Sequence, residues 1–79
     1  MEYTKKDLEK KVSEYTEKIA ENKVELLLID VEEENYNSLT EEQKSLNRQL
    51  ILEYKTQNKL MQSFIKDAEI LIELLNGNY

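Results

Sequence analysis

The feature that most constrains this chain is a stripe of side chains in its first half, spaced by alternating steps of four and three residues. The stripe begins at Leu8 and runs to Ile29, and only Asn22 interrupts its hydrophobic character. Such spacing keeps side chains on one face of an α-helix, in the a/d pattern of a helix that packs along another helix. The first half is therefore predicted to be one long helix, with the stripe Leu8, Val12, Tyr15, Ile19, Asn22, Leu26 and Ile29.

Local signals predict where this first helix begins and ends. Thr4 with Asp7 three residues later has the spacing of a capping box. Near the other end, three consecutive glutamates oppose the helix dipole, and Asn35 is a residue that tolerates a left-handed cap. The first helix is expected to cover residues 4–34.

A second capping box predicts a second helix. Thr40 and Gln43 flank two glutamates at the position where the helix dipole favours acidic residues. The pair Asn76-Gly77 is a typical helix stop. The second helix is expected to cover residues 40–76, and the short connection makes the two helices antiparallel neighbours.

The interface stripe of the second helix is predicted to contain a stutter, because two steps of four residues follow each other from Leu46 to Tyr54. A turn at residues 37–38 would pair positions whose numbers add to about 76, which places Tyr15 opposite Met61. The predicted stripe consists of Leu46, Leu50, Tyr54, Gln57, Met61, Phe64, Ala68, Leu71 and Leu75.

Composition restricts the function classes. The 79 residues suffice for a single domain, 1–79. Because the chain lacks cysteine and histidine, thiolate and imidazole catalysis and Cys/His zinc sites are excluded. No glycine-rich phosphate loop is present. We therefore expect no enzyme activity, no catalytic residues, no metal site and no cofactor.

Charge and hydropathy restrict the partners and the location. The net charge of −6 disfavours duplex nucleic acid. No segment has the apolar length of a membrane span, and the N-terminal residues lack the apolar core of a secretory signal, so a cytoplasmic location without membrane association is expected. The preference for Lys, Asn, Ile, Tyr and Glu is typical of AT-rich genomes and suggests a low-GC bacterium or a phage.

Self-association is predicted because two segments carry more apolar residues than one stripe needs. The first lies between Val24 and Val31 and the second between Ile70 and Leu75. A helix that is apolar on several sides is usually covered on several sides. A four-helix or larger bundle of several copies is therefore expected, with an interface formed by Ile51, Ile65, Ile72, Leu74 and Leu75.

Asn22 indicates a polar layer near the middle of the hairpin. One buried amide can act as a register device, because it penalises slipped pairings. The same layer can instead hold a small polar ligand, such as a nucleotide-like molecule. The residues considered for it are Asn22, Arg48, Tyr54, Lys55 and Gln57.

Acidic residues concentrate at the hairpin tip. Their simplest interpretation is a solvated turn, and the functional alternative is a patch that engages a basic surface of a partner. The candidate residues are Asp30, Glu33, Glu34, Tyr36, Glu41 and Glu42.

These features favour a non-enzymatic helical protein that self-associates and binds a partner protein as an inhibitor, adaptor or regulator. Its size, acidity and composition suit a phage or mobile-element protein that acts against host defence. Two alternatives are an oligomeric sponge for a small nucleotide-like ligand and a purely structural coiled-coil component.

Overall fold

A computed structural model describes residues 4–35 and 38–77 of the chain. Within these ranges the chain forms two antiparallel helices, α1 (Lys5–Asn35) and α2 (Glu41–Leu75), that pack against each other. The hairpin measures 57 × 20 × 18 Å. The predicted all-α hairpin is confirmed, and each helix end lies within one residue of its expected position. Neither helix is long and apolar enough to cross a membrane, as judged over the described ranges.

Both helices begin with the predicted capping boxes. At α1, the Thr4 backbone N–H donates to the Asp7 carboxylate and the Asp7 N–H donates to Thr4 Oγ1, each at 3.2 Å. At α2, the Thr40 N–H donates to Gln43 Oε1 at 3.0 Å, and the Gln43 N–H donates to Thr40 Oγ1 at 3.1 Å. Each box satisfies backbone donors that the first helical turn leaves unpaired.

The two helices end differently. Asn35 remains helical and its Nδ2 donates to the Val31 carbonyl at 2.9 Å, and no described residue other than glycine has a positive φ. A left-handed cap at Asn35 is therefore wrong. After α2, the Gly77 N–H donates to the Leu74 carbonyl, and Gly77 has a φ of 77°, so the predicted stop at Asn76-Gly77 is confirmed.

The register of the hairpin differs from the prediction by about one helical turn. Hydrogen bonds join Asn22 to Asn58 and Asn47 to Glu33, and both pairs of numbers add to 80, where about 76 was expected. Tyr15 accordingly contacts Phe64, where Met61 was expected. Because each helix end at the turn lies within one residue of its predicted position, the shift does not come from the helix bounds. It arises because the stripe of α2 that carries Asn47 and Asn58 faces α1 and pairs with Glu33 and Asn22.

The shifted register gives α2 a different interface stripe. Leu46, Gln57, Leu71 and Leu75, which were assigned to the stripe, are exposed. The buried and half-buried positions of α2 include a set in unbroken steps of four and three, so the stutter is wrong. This set, the α2 seam, consists of Asn47, Ile51, Tyr54, Asn58, Met61, Ile65, Ala68 and Ile72.

The buried core of the hairpin is small and unusually polar. Only four hydrophobic residues of the described chain are fully buried: Leu8, Ile19, Ile29 and Ala68. The other buried residues are asparagines 22, 47 and 58. Two packed helices enclose little volume, so few residues are buried. These asparagines occupy positions that leucine or isoleucine would normally fill.

Candidate functional site

The central polar layer is formed by one residue of α1 and two of α2. Asn22, which is 1% exposed, donates from Nδ2 to Asn58 Oδ1 at 2.9 Å and to Gln57 Oε1 at 3.3 Å. In the described part of the chain, every buried side-chain nitrogen and oxygen has a hydrogen-bond partner. The predicted layer exists, and its amides satisfy one another across the hairpin.

The residues expected around Asn22 are only partly brought together. Gln57 joins the layer, and Tyr54 lies half-buried in the α2 seam. Arg48 and Lys55 are exposed on α2 and make no hydrogen bond to the layer. This geometry fits a register device, because the buried amide donor of Asn22 is satisfied by protein acceptors and the exposed cations take no part in the layer.

Asn58 is the member of this layer that the sequence analysis missed. It lies in the α2 seam, four residues after Tyr54 and three before Met61. The stripe predicted for the second helix also contains a polar residue, but it is Gln57, one position before Asn58. A stripe through Asn47 and Asn58 has helical spacing too, so it was a second candidate.

A second polar layer lies nearer the hairpin tip. Asn47 Nδ2 donates to Glu32 Oε1 at 3.3 Å and to Glu33 Oε1 at 3.4 Å. Asn47 is buried, whereas both glutamates are exposed. This layer therefore ties the end of α1 to the start of α2 through carboxylates that remain in contact with water.

The acidic residues of the predicted tip are spread over two helices. Asp30, Glu34 and Glu42 are exposed, and Glu41 pairs with Lys44 at 3.8 Å. Tyr36 lies outside the described residues. No group of three or more metal-ligating side chains is placed to hold a metal ion in residues 4–35 and 38–77.

Ion pairs do not set the register of the hairpin. All the pairs found between described residues lie within one helix, at i,i+3 or i,i+4 spacing, and are solvent-exposed. They are Lys5–Glu9, Lys11–Glu14, Lys18–Glu21 and Lys44–Glu41. Exposed pairs of this kind contribute little to stability, and none of them joins the two helices among the described residues.

One aromatic contact reinforces the half of the hairpin that is remote from the tip. Tyr15 meets Phe64 edge-to-face, with ring centroids 5.0 Å apart and planes inclined by 70°. Lys11 Nζ lies 5.4 Å from the centroid of the Tyr15 ring. Such contacts add modestly to the burial of the rings.

The candidate oligomer-interface residues fall into two groups. Ile51, Ile65 and Ile72 are half-buried in the α2 seam, so α1 already covers much of their surface. Leu74 and Leu75 are exposed at the end of α2. The structure thus accounts for the three isoleucines within one chain and leaves the two leucines uncovered.

A second apolar stripe of α2 lies beside its seam. Leu50 and Phe64 are half-buried there, and the other members are exposed. We call this set the α2 flank. It consists of Leu46, Leu50, Phe64, Leu71 and Leu75.

A separate apolar stripe lies on the side of α1 opposite α2. Val24, Leu27, Leu28 and Val31 follow the spacing i, i+3, i+4, i+7, half a helical turn from the buried face. We call these four residues the α1 outer stripe. All four are exposed, and Leu27 is the most exposed at 62%.

Comparison with known protein families, with curated proteins and with solved structures found no match. Function must therefore be inferred from the chain's own surfaces.

Proposed function

We propose that this chain is a non-enzymatic protein-binding protein, which self-associates through α2 and acts on a partner protein as an inhibitor, adaptor or regulator. The observation that carries the proposal is the width of the apolar surface on α2. Its seam already faces α1, and the α2 flank adds a second apolar stripe that α1 covers only in part, at Leu50 and Phe64. The other members, Leu46, Leu71 and Leu75, remain exposed. Helices that are apolar at a, d and a flanking position typically pack in bundles of more than two.

The total exposed area supports association. The hairpin has 6556 Å² of accessible surface, whereas a compact monomer of 9.4 kDa exposes about 5,000 Å². The excess exceeds the roughly 800 Å² that each partner buries in a standard interface. Pairing two hairpins along their α2 flanks would cover the apolar residues that raise this area.

The charges around the C-terminal end of the α2 flank permit self-association. Residues 59–75 carry two lysines, one aspartate and two glutamates, which is a net charge of −1. The facing first half of α1, residues 4–19, has five lysines and four acidic residues. This end of the hairpin is nearly neutral, so two copies can approach without strong repulsion.

The experiment is light scattering of the whole chain, coupled to size exclusion, over a wide range of concentrations. We expect a dimer or larger assembly for the wild type. The double variant Leu71→Gln, Leu75→Gln should raise the dissociation constant by about 100-fold or more, because two leucines of the α2 flank lose their burial.

The matched control is the double variant Leu52→Gln, Ile70→Gln. These residues are 67% and 52% exposed on α2, and they lie on a side of the helix away from its flank. The control should associate like the wild type. A wild type that stays monomeric at every concentration would contradict the proposed self-association, and so would equal weakening by both variants.

A further inference from the structure

The negative charge of this protein is concentrated around the α1 outer stripe. Residues 20–35 contain six acidic residues and one lysine, a net charge of −5 within a chain total of −6. The first half of α2, residues 41–58, lies at the same end of the hairpin and carries three acidic and three basic residues. The acidity is therefore a property of one half of one helix.

The acidic residues border the stripe on both sides. Projection at 100° per residue places Glu21, Glu25 and Glu32 along one edge of the stripe, next to Leu28. The other edge, next to Leu27, carries Asp30, Glu34 and the single lysine, Lys23. All six charged residues are exposed.

Side-chain partners among the described residues engage only two of these carboxylates, and only one of the partners is a cation. Glu21 pairs with Lys18 at 3.8 Å, and Glu32 accepts a hydrogen bond from Asn47. The cations Arg48 and Lys55 are on α2, which packs against the opposite side of α1. The outer side of α1 keeps an apolar centre and an acidic rim.

From this arrangement we propose that the α1 outer stripe binds an amphipathic helix of a partner protein whose apolar face is flanked by lysine or arginine. Val24, Leu27, Leu28 and Val31 supply the i, i+3, i+4, i+7 contacts of a helix-to-helix interface. The rim supplies complementary charge, which speeds encounter and selects the partner.

The negative charge around the α1 outer stripe disfavours two other occupants, a second copy of the stripe and an anionic lipid surface. A second copy of this stripe would bring a net charge of −5 against another −5, so self-pairing at this surface is disfavoured. An anionic lipid surface is repelled for the same reason. A basic helix is the occupant that satisfies both the apolar centre and its rim.

This inference rests on the proposed protein-binding function, and it concerns a surface separate from the α2 flank. Titration of the full chain with three synthetic helical peptides tests it. One peptide has leucines at i, i+3, i+4 and i+7 with lysine flanks, the second has glutamate flanks, and the third is a scramble of the first. Fluorescence anisotropy gives each dissociation constant at low and high salt.

We expect the basic peptide alone to bind, and more weakly as salt rises. The variant Leu27→Gln, Leu28→Gln should weaken its binding by about 100-fold, and Glu25→Lys, Glu34→Lys by about tenfold. The matched controls are Leu52→Gln, Leu60→Gln for the apolar change and Glu53→Lys, Glu69→Lys for the charge change. Both controls lie on α2 and should bind nearly like the wild type.

Several results would overturn the inference. The inference is wrong if the basic peptide fails to bind the chain, or if the acidic or scrambled peptide binds it equally well. It is also wrong if the chain binds neutral lipid vesicles and not the peptide. Because the oligomeric state is measured separately, a monomer that binds the basic peptide would contradict only self-association. An oligomer that ignores the peptide would contradict only this inference.

Discussion

The two sides of α1 contrast over the second half of the helix. The side that faces α2 buries a polar residue, Asn22, together with Ile29, whereas the outer side exposes two adjacent leucines, Leu27 and Leu28. In a solitary hairpin, hydrophobic burial would favour a leucine in the place of Asn22 and polar residues on the outer side. This difference favours a role in pairing for the inner side and a role in association for the outer side.

We propose that the buried amides of the inner face fix the register of the hairpin at a cost in stability. A buried amide pair contributes less than a well-packed leucine pair would, but it penalises any register that leaves an amide without a partner. The outer face keeps its leucines accessible within a single chain. Three predictions sharpen this contrast, beginning with the largest expected effect.

The first prediction concerns neighbouring residues on opposite sides of α1. Ile29→Ala should lower the free energy of unfolding by about 2–3 kcal/mol, because Ile29 is 8% exposed and its loss leaves a cavity between the helices. Leu28→Ala should change it by about 0.5 kcal/mol or less, because Leu28 is 55% exposed. Urea denaturation followed by circular dichroism measures both. Equal losses would remove the distinction between the two sides.

The second prediction concerns the central amide layer. Asn22→Ala should lower the free energy of unfolding by about 1–2 kcal/mol, because the Asn58 carbonyl oxygen stays buried without its hydrogen-bond donor. Replacing both residues by leucine, Asn22→Leu with Asn58→Leu, should restore or exceed wild-type stability while loosening the choice of register or oligomer.

Denaturation gives the stability of these variants, and light scattering with spin-label distances across the hairpin gives their pairing. If the double leucine variant kept a single register and the wild-type oligomer, the amide layer would not be the device that fixes the pairing.

The third prediction compares the outer polar layer with the central one. Asn47→Ala should lower the free energy of unfolding by about 0.5–1 kcal/mol, less than Asn22→Ala, because water can hydrate the exposed carboxylates of Glu32 and Glu33 after the amide is removed. Fraying of the tip should increase, and amide hydrogen exchange at the end of α1 measures it. A loss as large as that of Asn22→Ala would show that the two layers are energetically equivalent.

Much of the fold was predictable because its signals are local. The capping boxes at Thr4 and Thr40 and the stop at Gly77 depend on residues within one turn of each helix end, and all three occur as expected. The central layer was predicted through Asn22, which interrupts an otherwise apolar stripe, and Gln57 was correctly placed in it. Asn58 was missed because the predicted second stripe took the neighbouring Gln57 as its polar position.

The register was not predictable to the residue from the same signals. α2 carries two parallel stripes that are displaced from each other by one residue. The α2 seam runs through Ile51 and Ile65, and the α2 flank runs through Leu50 and Phe64. Both have helical spacing, so periodicity does not choose between them. Both helix ends at the turn lie within one residue of their predicted positions, so the length of the connection does not choose between the stripes either.

The sequence by itself determined two long helices, their ends and their antiparallel arrangement, because caps and periodicity act over a few residues. Only the tertiary structure decided which stripe of α2 faces α1, because that choice depends on long-range pairing of amides such as Asn22 with Asn58. The same pairing decided which apolar residues remain outside. The surfaces proposed for function are therefore a consequence of register, to which local sequence signals are nearly insensitive.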